Sequence, residues 1–127
     1  MPRKRTEGLT DREAEIMAVL WQIGQASVED IRQRLEGRPA ASTVRSLLAI
    51  MAERGLVADD NTVYAKKYRP KLDQSQAQDS ALRRVIDRLF SGSTEELLVR
   101  LIDEGAVDSA QLERLQKRLR ERRDQGE

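Results

Sequence analysis

The 127-residue chain has the length of one domain or two very small ones, and its 23 Lys and Arg nearly cancel 22 Asp and Glu, leaving a net charge of +1. Cysteine and histidine are both absent, which excludes disulfides, thiolate chemistry and imidazole acid–base catalysis and removes the usual zinc ligands. Aromatic side chains make up 3% of the chain, too few for the stacking platforms that hold single-stranded nucleic acid or read RNA bases.

Helical periodicity dominates. Thr10 and Glu13 have the spacing of a capping box, and Ile16, Val19, Leu20 and Ile23 continue as one apolar stripe that Gly24 ends. Ser27 with Asp30 starts a short helix through Ile31 and Leu35, which stops at Gly37 before the turn at Pro39. A third helix is predicted from about Ala41 to Arg54, with Val44, Leu47, Leu48 and Met51 on its inner side and Gly55 as a left-handed stop. Ala40 stands where a capping Ser or Asp is preferred. The pattern then turns to strand: Leu56–Ala58, a turn at Asp59-Asp60-Asn61, and a second strand over Thr62–Arg69, closed by Pro70. Three short helices followed by a hairpin, all within about 60 residues, have the order of a winged helix-turn-helix.

Helices resume after Pro70. Leu82, Val85, Ile86 and Leu89 mark one from about Ser75 to Phe90. Ser93 to Glu96 cap another, carrying Leu97, Leu98, Leu101 and Ile102 to Gly105. Asp108 and Gln111 cap the last, with Val107 and Leu112 as a hydrophobic staple and Leu112, Leu115 and Leu119 as a narrow stripe. The fold class expected is mainly α with a small β-hairpin, residues 1–70 forming a winged-helix domain and 71–127 a helical domain. Three short helices with narrow stripes bury too little alone, and a second copy solves that. Leu82, Val85, Ile86, Leu89, Leu97, Leu101, Leu112, Leu115 and Leu119 are therefore the candidate dimerisation residues of a two-fold homodimer.

The outer face of the helix at 41–54 carries Ser42, Thr43, Arg45, Ser46 and Ala49. Small residues allow close approach, hydroxyls bond phosphates or base edges, and an Arg can grip guanine bidentately, as a helix in the major groove requires. The plainer reading is a solvated amphipathic face. Lys66, Lys67 and Arg69 on the second strand are candidate phosphate contacts, whereas Asp59 and Asp60 should hold the hairpin tip away from one. The arm Met1–Arg5 reads either as a minor-groove or phosphate contact or as a solvated tail. The Arg-rich run from Arg114 to Arg123 is interleaved with acids and reads as a solvated face. Trp21 reads as a core plug.

Residues 1–70 hold 12 basic and 10 acidic side chains, residues 71–127 hold 11 and 12, so neither half is strongly basic. No phosphate-cradling glycine loop is present, and no residue of suitable pKa stands ready as a base; neither an enzyme nor a cofactor is expected. No apolar run nears the roughly 20 residues a bilayer span requires, and none follows the basic N-terminal residues, so a cytoplasmic protein without membrane insertion is expected.

The chain resembles the penicillinase-repressor family of transcriptional regulators. The resemblance is carried by L-T-D-R-E-A-E-I-M-A-V-L-W at Leu9–Trp21, S-T-V-R-S-L-L at Ser42–Leu48, R-G-L-V at Arg54–Val57, Y-R-P at Tyr68–Pro70 and L-F-S-G-S at Leu89–Ser93. It covers about residues 7–120 and implies a homodimeric repressor of palindromic double-stranded DNA operators, in which Thr43 and Arg45 match DNA-contacting positions and Ser42 and Ser46 adjoin them. It also implies a membrane sensor protease as a partner, cutting an Asn-Phe bond for which this chain has Arg100-Leu101. Ile50, Glu53, Asp59 and Asp60 depart from the family's basic positions, and the absence of cysteine excludes copper sensing by thiolates. The rival reading from the residues is a winged-helix protein-interaction adaptor, and a third is a ligand-sensing regulator.

Overall fold

The computed structural model describes residues 8–126, which divide into two compact units between Ala81 and Leu82. The first is built from helix α1 (Asp11–Ile23), strand β1 (Ala26–Ser27), helices α2 (Val28–Arg34) and α3 (Ala41–Glu53), and strands β2 (Val57–Asp59) and β3 (Lys67–Pro70). Helix α4 (Gln74–Leu89) runs from the first unit into the second, which continues with α5 (Thr94–Asp103) and α6 (Ser109–Asp124). The chain is mainly α with a small antiparallel sheet, the arrangement of a winged helix.

Local chemistry explains the helix starts. The Thr10 hydroxyl accepts from the Glu13 N–H (3.2 Å) while the Glu13 carboxylate accepts from the Thr10 N–H (2.9 Å). Ser27 with Asp30 and Asp108 with Gln111 form the same reciprocal pair, and the Ser93 hydroxyl accepts from the Glu96 N–H. Helix α1 ends where Gly24 turns left-handed (φ 83°) and its N–H returns to the Leu20 carbonyl.

The sheet differs from the expected hairpin in two respects. The order is β1-β3-β2, so β3 is central and a two-residue strand, Ala26–Ser27, covers its outer edge through Ala26↔Tyr68 and Ser27↔Lys67. The second hairpin strand is shorter than Thr62–Arg69: it begins only at Lys67, and residues 60–66 form the loop. The reason lies in two carboxylates that take backbone N–H groups from the strand ladder. The N–H of Asn61 donates to Asp59 Oδ1 (2.8 Å) and that of Thr62 to Asp60 Oδ1 (3.2 Å).

Ile16, Met17 and Leu20 of α1, Ile31 of α2, Val44, Leu48 and Met51 of α3, and Leu56, Val57 and Leu72 interlock as one core. Ala77 in the first turns of α4 packs against it, and the Trp21 indole N–H donates to the Leu72 carbonyl (2.9 Å), the plug role expected of it. Glu13 does more than cap. Both oxygens of its carboxylate accept from Arg54 Nη1 (3.0 and 2.9 Å) across 41 residues of sequence, and both side chains are buried. Burial alone works to raise the Glu13 carboxyl, but hydrogen bonds from Thr10 and Arg54 outweigh it and hold the group below its ordinary value.

In the second unit, none of the described residues from Leu82 onward is buried. Leu82, Leu89, Leu98, Ile102, Leu115 and Leu119 all stand largely in solvent in the single chain.

Candidate nucleic-acid interface

Helix α3 turns its apolar stripe into the core and leaves Ser42, Thr43, Arg45, Ser46, Ala49 and Ile50 exposed. Its inner face is anchored by Val44, Leu48 and Met51, each with no accessible surface, so the outward residues are held on a rigid support. Ala40 makes no side-chain cap, and the first turn carries no acidic residue. The start of α3 beside Ser42 and Thr43 thus carries neither a side-chain cap nor a first-turn carboxylate, a polarity that suits an anion.

The wing cations fall into two groups. Strand alternation puts Lys67 and Arg69 together on the exposed face of β3 and Tyr68 and Pro70 on the inner one. Lys66 belongs elsewhere. It shares a cleft of ≈ 440 Å³ with Arg45 of α3, bordered also by Ser27, Val28, Glu29, Val63, Ala65 and Tyr68. Its ammonium lies 3.7 Å from Asp59 Oδ2, a half-exposed contact. Lys67 faces the start of α2 closely enough to help depress the Asp30 carboxyl, whose main support is the Ser27 amide and hydroxyl. Of the seven candidate DNA contacts, the cleft therefore unites Arg45 and Lys66, the outer face of α3 presents Ser42, Thr43 and Ser46, and Lys67 and Arg69 form a separate pair.

Arg12 and Arg32 of this unit are turned to neighbouring carboxylates. Arg32 grips Glu29 through two nitrogens (2.9 and 3.0 Å), and Arg12 holds Glu15 (3.2 Å) and the Glu36 carbonyl (2.9 Å). The arm Met1–Arg5 lies outside the described residues. Two features of the site carried no sequence signal: the cleft that Arg45 and Lys66 both line, and the outward placement of Val63 and Tyr64 at the wing tip.

The expected dimerisation residues are distributed over α4, α5 and α6 of the second unit. Leu97, Leu101 and Ile86 are half-buried, and Leu82, Val85, Leu89, Leu112, Leu115 and Leu119 are exposed. Among the described residues no group of acidic side chains is placed to hold a metal ion, and no helix is long and apolar enough to cross a membrane.

Comparison with known proteins bears on this arrangement. A protein of Latilactobacillus sakei described as an uncharacterized 16.5 kDa protein in the ptsI 3′ region is 21% identical over 118 residues, covering 91% of this chain and 81% of the relative. The model of the penicillinase repressor family matches residues 9–121, spanning both units. The chain belongs to the penicillinase repressor family, whose members are transcriptional regulators rather than enzymes.

Proposed function

We propose that the chain is a sequence-specific repressor that binds palindromic double-stranded DNA operators as a homodimer. Residues 1–70 serve as the DNA-binding domain and residues 71–127 as the dimerisation domain. The observation that carries the reading is the outer face of α3: hydroxyls and an arginine on a helix whose inner face is locked in the core, beside an uncapped helix start. Ser42, Thr43, Arg45 and Ser46 enter the major groove, and Lys66, Lys67 and Arg69 approach flanking phosphates. Two copies joined through α4–α6 place their α3 helices about 34 Å apart or a multiple of it, one helical turn being the unit.

The dimer is supported by the apolar side chains that α4–α6 leave in solvent in a single chain. The family's upstream partner, a membrane sensor protease, meets an obstacle here. Arg100-Leu101 lies inside α5, so cleavage there requires the helix to open first.

Band-shift titration on inverted-repeat DNA at two salt concentrations tests the reading. Specific retention that weakens steeply with salt is expected, and Arg45→Ala should cost about 1–3 kcal/mol with relaxed base preference. A loss that is uniform across sequences makes Arg45 a phosphate contact. No retention at micromolar protein sinks the repressor and leaves the adaptor.

A further inference from the structure

The cleft that Arg45 and Lys66 line has walls fixed by local hydrogen bonds. On the α2 side, Ser27 is held by its reciprocal cap with Asp30 (3.1 and 3.2 Å). On the wing side, the Thr62 hydroxyl bridges Asp60 Oδ1 (2.8 Å) and the Tyr64 carbonyl (3.2 Å), and the Asp60 N–H donates to the Lys67 carbonyl (3.0 Å). Ala65, also in the lining, adopts a left-handed backbone (φ 50°), a cost that folded chains concentrate at binding sites. The enclosed volume, ≈ 440 Å³, is that of a small-molecule site, and a duplex is too broad to descend into it.

The lining specifies the occupant. Val28, Val63 and Tyr68 offer apolar and aromatic surface, and Arg45 and Lys66 offer positive charge. The Arg45 guanidinium makes no ion pair or side-chain hydrogen bond among the described residues. Lys66 has the 3.7 Å contact with Asp59, which leaves it donors to share. Glu29 borders the cleft too, but its carboxylate is taken up by Arg32 (2.9 and 3.0 Å) and the Gln33 amide (3.1 Å). Two available cations beside apolar surface favour an anion with a flat apolar body. A guanidinium pairs with a carboxylate through two parallel bonds and stacks on aromatic rings. A nucleic-acid phosphate satisfies the cations alone and has nothing to set against Val28 and Tyr68.

Resting on the DNA-binding reading above, we propose that this cleft is an effector site for a small aromatic carboxylate, which competes with the operator for Arg45 and Lys66. The carboxylate takes the two cations and the ring lies against Val28, Val63 and Tyr68. An occupied cleft withdraws Arg45 from the bases and Lys66 from the phosphates together. Release of DNA then needs neither cleavage of the chain nor a change passed between its two units.

The test uses the full chain, with 2-naphthoate as the probe and 2-naphthamide as the same body without its charge. Naphthoate titrated into the DNA-free protein should shift the amide resonances of Ser27, Val28, Arg45 and Lys66 saturably, and naphthamide should bind about tenfold more weakly. Lys66→Ala should weaken naphthoate binding about tenfold. Val28→Phe, which fills the cleft, should lose the saturable shifts with an unchanged melting profile. On a duplex the protein has itself selected from random sequence, naphthoate at ten times its dissociation constant should weaken retention about tenfold relative to chloride of equal ionic strength. Naphthoate and naphthamide that bind alike, Lys66→Ala that binds naphthoate as wild type does, or saturable binding that leaves retention unchanged overturns the proposal. Wild-type protein that retains no duplex overturns the DNA-binding reading, and the competition with it; titration of the DNA-free chain still decides whether the cleft takes the carboxylate.

Discussion

The two units are specified equally well at the level of single helices and unequally at the level of packing. Capping pairs open α1 and α2 in the first unit and α6 in the second, with similar geometry and similar apolar stripes. Yet every buried hydrophobic residue among those described falls between Ile16 and Leu72. The first unit closes its stripes on one another by folding α1, α2 and α3 against a sheet. In the second, the stripes of α4–α6 are at most half-buried. A helix is thus written by residues three and four apart, whereas a core needs stripes that converge, and convergence is what separates the units. Stability of the first is intramolecular; that of the second should follow the concentration of whatever covers it.

The contrast can be broken most forcefully from the side of the closed core. Leu48→Ala removes a fully buried side chain at the centre of α3 and should destabilise the first unit by as much as about 5 kcal/mol, seen as a calorimetric transition shifted equally at all protein concentrations. Next is Glu13→Gln, which leaves the Arg54 guanidinium buried beside a neutral amide and should cost about 3 kcal/mol. This variant also carries a pH signature. Because the folded Glu13 carboxyl lies below its ordinary value of 4.5, its contribution is full above that value and disappears as pH falls through the lower, folded one. Unfolding titrations from pH 7 downward should show this acid limb in the wild type and a flatter profile in the variant.

The open unit should respond differently. Leu115 is 52% exposed, so truncation in a lone chain would change stability by less than about 0.5 kcal/mol. Covered by a second copy, Leu115→Ala should instead weaken association by about 2 kcal/mol per protomer, read by sedimentation equilibrium. An unchanged association constant would remove α6 from the interface. The smallest effect expected is that of Asp108→Ala, about 1 kcal/mol through loss of the bond to the Gln111 N–H, visible as fraying of α6 in amide exchange.

Legibility in the sequence followed the range of the interaction. The starts at Thr10, Ser27 and Asp108 were readable because cap and partner stand three residues apart. The stripe Val44-Leu48-Met51 was readable for the same reason, and with it the outward face of α3. Strand β1 was not: Ala26 and Ser27 have no strand signature, and their pairing with Tyr68 and Lys67 is decided some 40 residues away. Glu13 was legible as a cap and not as the partner of Arg54. At the wing, Asp59 and Asp60 were legible as charge but not as shapers of the turn, because their hydrogen bonds to Asn61 and Thr62 exist only once the turn has formed. The cleft shared by Arg45 and Lys66 likewise belongs to tertiary structure.

The bond from the Trp21 indole to the Leu72 carbonyl gives the molecule a built-in reporter. Trp21 is the sole tryptophan of the chain, and both tyrosines lie before Ala81. Indole fluorescence therefore watches the first unit alone, while far-ultraviolet dichroism sums helices from both. Overlaid melting curves would mean that the halves unfold as a single cooperative body; separated curves, with only the dichroic one sliding on dilution, would assign each transition to its half without a label.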